Sequence, residues 1–216
     1  MSTDLGVKWT QLSQILTTLY RGRRDTWVKQ DIQTKELTRV FGEPVSAEVF
    51  ARHLGGEFMA AVYYLLPGNT CHMMTLDFDL NDLEVVKLFY NYVNQKWGLT
   101  PAVSTSKGKG FHMDFFFADP DPVPAAKARA FLLGVKRALQ HEASSWIELF
   151  PHADALRDED GIGKGCMLPL NNYYLTQVDR TWYLDMPSGE PIRDAAAGIV
   201  RAFKTSRITI SRLDAI

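Results

Sequence analysis

The stretch from Leu76 to Leu80 alternates apolar and acidic residues, and this alternation limits how the chain can fold. In a β-strand successive side chains leave opposite faces, so Asp77 and Asp79 share one face while Leu76, Phe78 and Leu80 share the other. The apolar face predicts the buried side of a sheet. Two carboxylates on the other face repel each other unless a cation lies between them, and Mg²⁺ binds through one or two carboxylates plus substrate phosphates. The triplet predicts either a metal site or two solvated acids on an open sheet face.

A Gly/Lys loop downstream, Ser106–His112, carries groups suited to phosphate binding. Its two glycines allow backbone amides to approach a ligand closely, and Lys107 and Lys109 add positive charge. His112 opens the next predicted strand and can donate a hydrogen bond to a phosphate. A flexible hairpin loop with solvated lysines is the alternative. Neither this loop nor Gly161–Gly165 is a Walker-type phosphate loop, because the string Gly-x-x-x-x-Gly-Lys-Ser/Thr is absent.

A later acid, Asp185, is a candidate for a third metal ligand. Asp185 ends a short strand-like run and precedes a turn, which suits a ligand at a strand end, although a turn-initiating Asp is the simpler interpretation. Glu148 lies inside an apolar run and is equally ambiguous, because a charged residue there needs a partner only when it is buried. An acid pair, a Gly/Lys/His loop and a later acid are together typical of metal-dependent phosphoryl transfer.

The periodicity of the remaining chain predicts a mixed α/β or α+β protein. Helical patterns cover about 5–20, 82–98, 125–143 and 193–204, with Ser46 and Asp82 as candidate N-caps. Strand-like runs at 58–66 and 71–80 flank the turn Pro67-Gly68-Asn69, so we expect them to form a hairpin. A length of 216 residues suits a single domain.

Composition and cysteine placement exclude several classes of protein. No apolar run is long enough to span a bilayer and no secretory signal precedes the first helix, so we expect a cytoplasmic protein with no membrane partner. Cys71 and Cys166 lie in no Cys/His cluster, so neither structural zinc nor a disulfide framework is expected. The net charge of -1 does not indicate a nucleic-acid binder, but affinity for phosphates depends on where Lys and Arg cluster.

These motifs resemble those of the archaeo-eukaryotic primase superfamily, and most closely its primase-polymerase branch in TOTE conflict systems and CRISPR-associated primase-polymerases. The family shows an Asp-x-Asp/Glu strand, matched by Leu76–Asp79, and a small-residue-x-His motif after a Ser/Gly/Lys-rich loop, matched by Gly110–His112. Leu184-Asp185 is the candidate for its hydrophobic-Asp motif, with Asp179 as a rival.

Further segments resemble the family in the same order along the chain, from about residue 21 to 185. They are Arg21–Asp25, His53–Gly56, Tyr63–Leu66, Thr70-Cys71, Glu148–Pro151, Gly161–Gly163 and Leu168–Asn171. The chain departs from the family pattern at Lys107, where a Gly is usual, at Asp114, where an aromatic residue is usual, and at Lys164, where an Asn is usual. It also lacks the zinc-binding cysteines of replicative members.

The resemblance implies an α/β unit at about 1–60, packed on an RRM-like sheet at about 61–190, with a C-terminal helix and tail at 191–216. The active site would lie in the cleft between the unit and the sheet. The implied activity is template-dependent nucleotidyl transfer, as primer synthesis, primer extension or both, on DNA or RNA. Single-stranded or primed DNA and nucleoside triphosphates are the implied substrates, a helicase or a CRISPR-associated protein is a candidate partner, and we expect a monomer.

Residue roles follow from the same resemblance. Two divalent ions, Mg²⁺ or Mn²⁺, would be held by the catalytic acids Asp77, Asp79 and Asp185. The incoming nucleotide would be bound by Ser106, Lys107, Lys109, Gly110 and His112. Template phosphates would be contacted by Arg21, Arg23 and Arg24, or by the tail cluster Arg201, Lys204, Arg207 and Arg212, although a solvated helix face also explains such residues.

Two other functions remain open from the sequence. A metal-dependent glycosyltransferase also uses Asp-x-Asp to bind a nucleotide, but it would need an open parallel sheet and would leave the Ser106–His112 loop unexplained. A non-catalytic RRM-like module would stack bases on exposed sheet aromatics, for which Phe115, Phe116 and Phe117 are the candidates.

Overall fold

The computed structural model describes residues 2–43, 45–118, 120–157, 161–205 and 207–215, with side chains from residue 9 onward. The helices are α1 (Ser2–Leu19), α2 (Ala47–Gly55), α3 (Leu83–Trp97), α4 (Ala125–Leu139), α5 (Ala195–Phe203) and α6 (Ile210–Asp214), with a 3₁₀ turn at Glu142–Trp146 and a π-helical turn at Tyr174–Val178. The strands are β1 (Thr26–Asp31), β2 (Leu37–Phe41), β3 (Phe58–Tyr63), β4 (Thr70–Cys71), β5 (Met73–Phe78), β6 (Ala102–Thr105), β7 (Phe111–Phe117), β8 (Val123–Pro124), β9 (Ile147–Phe150), β10 (Gly165–Met167), β11 (Leu184–Asp185), β12 (Glu190–Pro191) and β13 (Arg207–Ile208).

Two sheets organise the chain into the expected mixed α/β fold. The first is antiparallel with the order β10-β3-β1-β2. The second has the order β13-β7-β5-β9, and β6 pairs with the first half of β7. We call these the four-stranded and the five-stranded sheet. Only the short β13–β7 pairing is parallel among the pairings of the described strands.

The five-stranded sheet is covered on both faces. Its strands contribute Leu76, Phe78 and Met113 to a core shared with α3 and α4, and all three side chains are fully buried. The other face packs against the four-stranded sheet together with α1, α2 and α5. Because β10 comes from residues 165–167 yet pairs with β3, the chain returns late to complete the N-terminal sheet. The cleft between the two sheets therefore combines residues from both halves of the sequence.

Helix ends follow the sequence signals. The Ser46 side chain accepts a hydrogen bond from the Val49 amide at the start of α2, and Asp82 accepts from two amides at the start of α3. Gly56 and Gly98 end these helices in the left-handed conformation that glycine adopts readily. None of the helices in the described part of the chain combines the length and apolar character needed to cross a membrane.

The hairpin expected between 58–66 and 71–80 is wrong. β3 belongs to the four-stranded sheet and β5 to the five-stranded sheet, and the turn between them closes only one isolated bridge, Leu66 to Thr70. The chain crosses from one layer to the other at this turn. Both runs are buried on two sides, so their apolar pattern could not indicate which strands they would pair with.

His53 ties α2 to the strands beneath it. Its Nδ1 accepts a hydrogen bond from the Ala60 amide at 3.1 Å, and its Nε2 donates to the Pro169 carbonyl at 2.8 Å. The ring is fully buried, and burial lowers its pKa from 6.5 to about 4, although the hydrogen bond to the Pro169 carbonyl opposes this shift. The folded protein therefore holds this imidazole neutral.

We expect stability to fall as the pH drops from 6.5 towards 4, because the unfolded chain takes up a proton at His53 that the folded protein excludes. The shift corresponds to about 3 kcal/mol between the two limits. Urea denaturation at several pH values between 4.5 and 7.5 measures this slope. His53→Gln should be less stable at pH 7.5 but show a flatter pH dependence, and an equal slope in both proteins would contradict the assignment.

Candidate active site

Strand pairing brings one acid, one base and a second acid into a row. Asp77 on β5 lies opposite His112 on β7 and, on its other side, opposite Glu148 on β9. Ser104 on β6 continues the row beyond His112. Paired residues in a sheet project to the same face, so these side chains share the cleft face, away from the helices. The predicted segregation of Asp77 from Leu76 and Phe78 is confirmed.

A cavity of about 250 Å³ opens at this row. Asp77 and Asp79 line it from β5, and Lys164 and Cys166 line it from the edge of the four-stranded sheet. The loop residues Ser106, Lys107, Gly108, Lys109 and Gly110 line it together with His112. The structure thus brings the acid pair and the Gly/Lys/His loop, 27 to 35 residues apart in sequence, into one cavity.

The carboxylates around this cavity repel each other electrostatically. Burial raises the pKa of Asp77, and the negative charges of Asp79 and Glu148 raise it further, while His112 and Lys164 oppose the rise. Asp77 is largely buried, whereas Asp79 is exposed at the rim. Concentrated negative charge with restricted access to water favours binding of a cation.

His112 lies between the Asp77 carboxylate and the Cys166 thiol. Its Nε2 lies 3.4 Å from the Asp77 carboxylate, and its Nδ1 lies 3.9 Å from the Cys166 sulfur. Burial works against a positive ring, but attraction to Cys166, Asp77 and Asp114 raises the pKa of His112 above its ordinary value. Burial also raises the pKa of the Cys166 thiol, and the nearby charge of His112 opposes that rise. His112 thus lies at the cavity wall between the Asp77 carboxylate and β10.

Asp114, which stands where the family usually has an aromatic residue, has buried hydrogen-bond partners. Its carboxylate lies buried two residues beyond His112 on the same strand face, where it accepts hydrogen bonds from the Tyr20 hydroxyl at 2.7 Å and the Thr75 hydroxyl at 2.6 Å. Burial raises its pKa, and His112 and the two hydroxyls oppose the rise. Tyr20 in turn contacts the Tyr183 hydroxyl at 2.8 Å. The Asp114 carboxylate thus links the residue that follows α1 to β7, the strand that carries His112.

The Ser106–Gly110 loop is held closed by its own backbone and by one distant arginine. The Gly110 amide donates to the Ser106 hydroxyl at 3.1 Å, and the Ser106 amide donates to the Gly110 carbonyl at 2.9 Å. Arg180 donates to the Ser106 carbonyl at 3.1 Å and to the Gly110 carbonyl at 2.9 Å, with its guanidinium over the Phe111 ring. Sequence reasoning missed Arg180 because it lies about 70 residues away and belongs to no motif.

Arg180→Lys should raise the KM for the nucleotide about tenfold and change kcat less, because one ammonium cannot bind both loop carbonyls with the planar fork of a guanidinium. Steady-state kinetics of nucleotide incorporation measures the two parameters separately. Arg193→Lys is the matched control, since Arg193 pairs with Asp179 on the protein surface. A change in kcat alone would show that Arg180 does not shape the loop for nucleotide binding.

Lys107 also serves to connect the sheets. Its ammonium donates to the Gln30 side chain on β1, and burial together with the charge of Lys35 lowers its pKa. Lys164 pairs with Glu148 across the cleft. Two cations thus flank the acid row from the side of the four-stranded sheet.

The structure does not bring Asp185 to the acid pair. Tyr183 bridges to Ser104 on β6, so β7 and β6 lie between the strand of Asp77 and that of Asp185. At about 4.8 Å per strand the two carboxylates are on the order of 14 Å apart. Asp185 pairs with Arg201 at 2.9 Å and accepts a hydrogen bond from Ser188.

The rival Asp179 also lies outside the cavity. It pairs with Arg193 and accepts a hydrogen bond from the Trp182 indole at 2.8 Å. The third acid that the structure places beside Asp77 is Glu148. The alternation of Ile147, Glu148 and Leu149 was the available signal, because it puts the acid on the face opposite two core side chains.

The N-terminal arginines have different surroundings. Arg23 is buried, binds Asp25 through two nitrogens and donates to the Gly161 carbonyl at 2.6 Å. Arg21 is half-buried, with one nitrogen 3.4 Å from the Pro120 carbonyl, and Arg24 is exposed. Arg23 therefore serves as a structural bridge, and only Arg21 and Arg24 of these three arginines reach the protein surface.

The structure lacks the features that an RRM-like binding module and a glycosyltransferase would need in the described residues. Phe115, Phe116 and Phe117 are all buried, with at most 2% of each residue exposed, so none offers a free ring to a base. The sheet that carries the acids is antiparallel along β5, unlike the open parallel sheet that a glycosyltransferase would need.

Comparisons with known proteins identify the family of the chain. No curated protein matches the chain. A solved structure, "Polymerase Domain from Mycobacterium tuberculosis Ligase D in complex with DNA", is similar over 99% of this chain and 92% of that chain, with 14% sequence identity and a TM-score of 0.49. The sequence model described as "TOTE conflict system, Archaeo-Eukaryotic Primase domain" matches residues 11–213, and this match supports a nucleotidyltransferase type of function. The chain therefore belongs to the archaeo-eukaryotic primase domain family of TOTE conflict systems.

Proposed function

We propose that this protein is a primase-polymerase that joins nucleotides on a nucleic-acid template by metal-dependent phosphoryl transfer. One observation carries the proposal: Glu148, Asp77 and His112 stand side by side on three paired strands, next to the closed Ser106–Gly110 loop. Acids for cations and donors for phosphates in a single cleft are what this reaction requires.

The donor set fits divalent ions. Asp77 and Asp79 leave the same strand face, and Glu148 adds a third carboxylate in the position we assign to the third ligand instead of Asp185. Among the described residues, no three acid, His or Cys side chains lie close enough together to hold a metal ion by themselves. Mg²⁺ and Mn²⁺ do not need one, because substrate phosphates and water complete their coordination. When bound, the ions would activate the attacking 3′-hydroxyl and stabilise the leaving pyrophosphate.

The protein's own groups bind and orient the triphosphate. His112, which lines the cavity beside Asp77, donates a ring N–H to a phosphate oxygen. The Ser106 hydroxyl and the loop backbone provide further polar contacts, and Lys109 adds positive charge at the cavity wall. Lys164 balances the charge of Glu148 and limits the repulsion within the acid row.

The template is proposed to follow the surface next to the N-terminal unit, where Arg24 is exposed and Arg21 is half-exposed. Such residues would contact phosphates without reading sequence, so binding should weaken with salt. Arg23 is assigned to the structural bridge with Asp25.

Primer extension tests the proposal directly. Purified protein is incubated with a primed DNA template, or an unprimed one, with ribo- or deoxynucleoside triphosphates and Mg²⁺ or Mn²⁺. We expect extended primers or new dinucleotides whose sequence follows the template, and loss of product with EDTA. Triphosphate binding without any templated product would favour a different nucleotide enzyme, and template binding without metal-dependent synthesis would favour a binding module.

A further inference from the structure

One tryptophan differs from the others. Of the five in the chain, four are buried or half-buried, and only Trp146 is exposed, at 63%. A Trp side chain that packs little against its own protein contributes little to the fold, and such residues are frequent where a partner will cover them.

Trp146 lies directly beside a proposed metal-binding acid. The Asp79 amide donates to the Trp146 carbonyl at 2.8 Å, which extends the β5–β9 register by one pair beyond Phe78 and Ile147. On the other side of β5 the same register extends from Phe78 and Phe111 to Asp79 and Gly110. Asp79 thus lies between the indole and the Ser106–Gly110 loop, with one strand spacing of about 5 Å on each side.

The chemistry of nucleotidyl transfer assigns a substrate group to each side. A bond forms between the 3′-oxygen of the strand and the α-phosphorus while the bond from that phosphorus to the pyrophosphate oxygen breaks, and the two oxygens lie in line. If the loop holds the leaving phosphates, the strand that supplies the 3′-hydroxyl must lie across the acids from the loop. That is the side of Trp146.

We infer that the Trp146 indole stacks on the base of the nucleotide that supplies the attacking 3′-hydroxyl. This inference rests on the proposed function and adds a binding site for the strand end. An indole offers a flat aromatic face and no positive charge for a phosphate, so the group over it is the uncharged base. Stacking on an aromatic side chain is tolerant of base identity, as a polymerase that extends any sequence requires.

Two variants and a matched control test the site. Trp146→Ala should raise the Kd for a primed template about 5- to 150-fold, the range expected for loss of one stacked base, and leave the KM for the nucleotide unchanged at saturating primer. Trp146→Phe keeps a ring and should stay within about threefold of the wild type. Phe41→Ala removes an equally exposed ring (63%) from β2 of the other sheet and should have no effect.

Binding is measured separately from synthesis with 2-aminopurine at the primer 3′ end, whose fluorescence is quenched by stacking. Quenching by the wild type that Trp146→Ala loses and Trp146→Phe keeps supports the inference even if the protein extends no primer, in which case only the proposed function fails. Extension by the wild type with equal quenching and equal primer Kd in Trp146→Ala overturns the inference and leaves the function intact. A rise in nucleotide KM without a rise in primer Kd also overturns it.

Discussion

Replacing Asp77 and Asp79 together by Asn should reduce primer extension by at least about a thousandfold, because the amides cannot supply the anionic oxygens that a divalent ion requires. The measurement is the rate of single-nucleotide incorporation at saturating metal and nucleotide. Glu84→Gln is the matched control, since Glu84 is an exposed acid at the start of α3 that pairs with Lys87. Extension by the double variant at the rate of the control would show that these acids bind no catalytic metal.

The same substitution should raise the melting temperature of the metal-free protein. Burial raises the pKa of Asp77, and so does the negative charge of Asp79 and Glu148, so at neutral pH the folded state carries a carboxylate that it destabilises relative to the unfolded chain. An Asn removes this unfavourable charge while keeping the size of the side chain. Loss of activity with a gain in stability would separate a catalytic role from a structural one, as expected of acids retained for function. A lower melting temperature would contradict this account of Asp77.

The second large effect is expected at Gly110, where the Ser106–Gly110 loop packs closely against β5. A Cβ atom on this residue would lie 1.9 Å from the Phe78 carbonyl oxygen and 3.0 Å from its carbon. Both atoms belong to the backbone, so β5 and β7 would have to separate beside Asp79. Gly110→Ala should therefore destabilise the protein by at least about 2 kcal/mol and lower extension strongly. Chemical denaturation and extension measure the two effects.

Gly108 in the same loop provides the comparison. A Cβ at this position meets no atom within 4 Å, so Gly108→Ala should change the free energy of unfolding by no more than about 0.5 kcal/mol. Similar losses in both variants would show that the loop requires flexible glycines in general. A loss confined to Gly110→Ala would show that close approach of two strands is the constraint.

Local features of the fold were predictable because their causes are local. Ser46 and Asp82 cap helices through their own side chains, and Gly56 and Gly98 end those helices through their own backbone conformation. Strand pairing was not predictable in this way. β3 and β5 are separated by a short turn that favours a hairpin, yet they enter different sheets, because each is covered on both faces by elements distant in the chain.

The candidate site shows the same division. Asp77 and His112 were identified from short motifs, and the register between β5 and β7 places them opposite each other. Asp185 was predicted as the third metal ligand from its place at a strand end and from its resemblance to a hydrophobic-Asp motif, and neither signal carries information about distance. Pairing of β5 with β9 places Glu148, and not Asp185, beside Asp77. Arg180 contacts the Ser106–Gly110 loop from a segment that carries no motif.

The sequence by itself determined the family, the acid pair on one strand face and the composition of the Ser106–Gly110 loop, because alternation and motif order lie within short segments of chain. The Leu76–Leu80 alternation predicted which face of β5 would be buried, and Leu76 and Phe78 are in the core. Only the tertiary structure decided what stands beside that strand. Glu148 on one side, His112 on the other and Trp146 at the rim come from strands whose pairing depends on packing of the whole sheet. Long-range pairing is selected by the total buried area of the fold, and no short pattern encodes it.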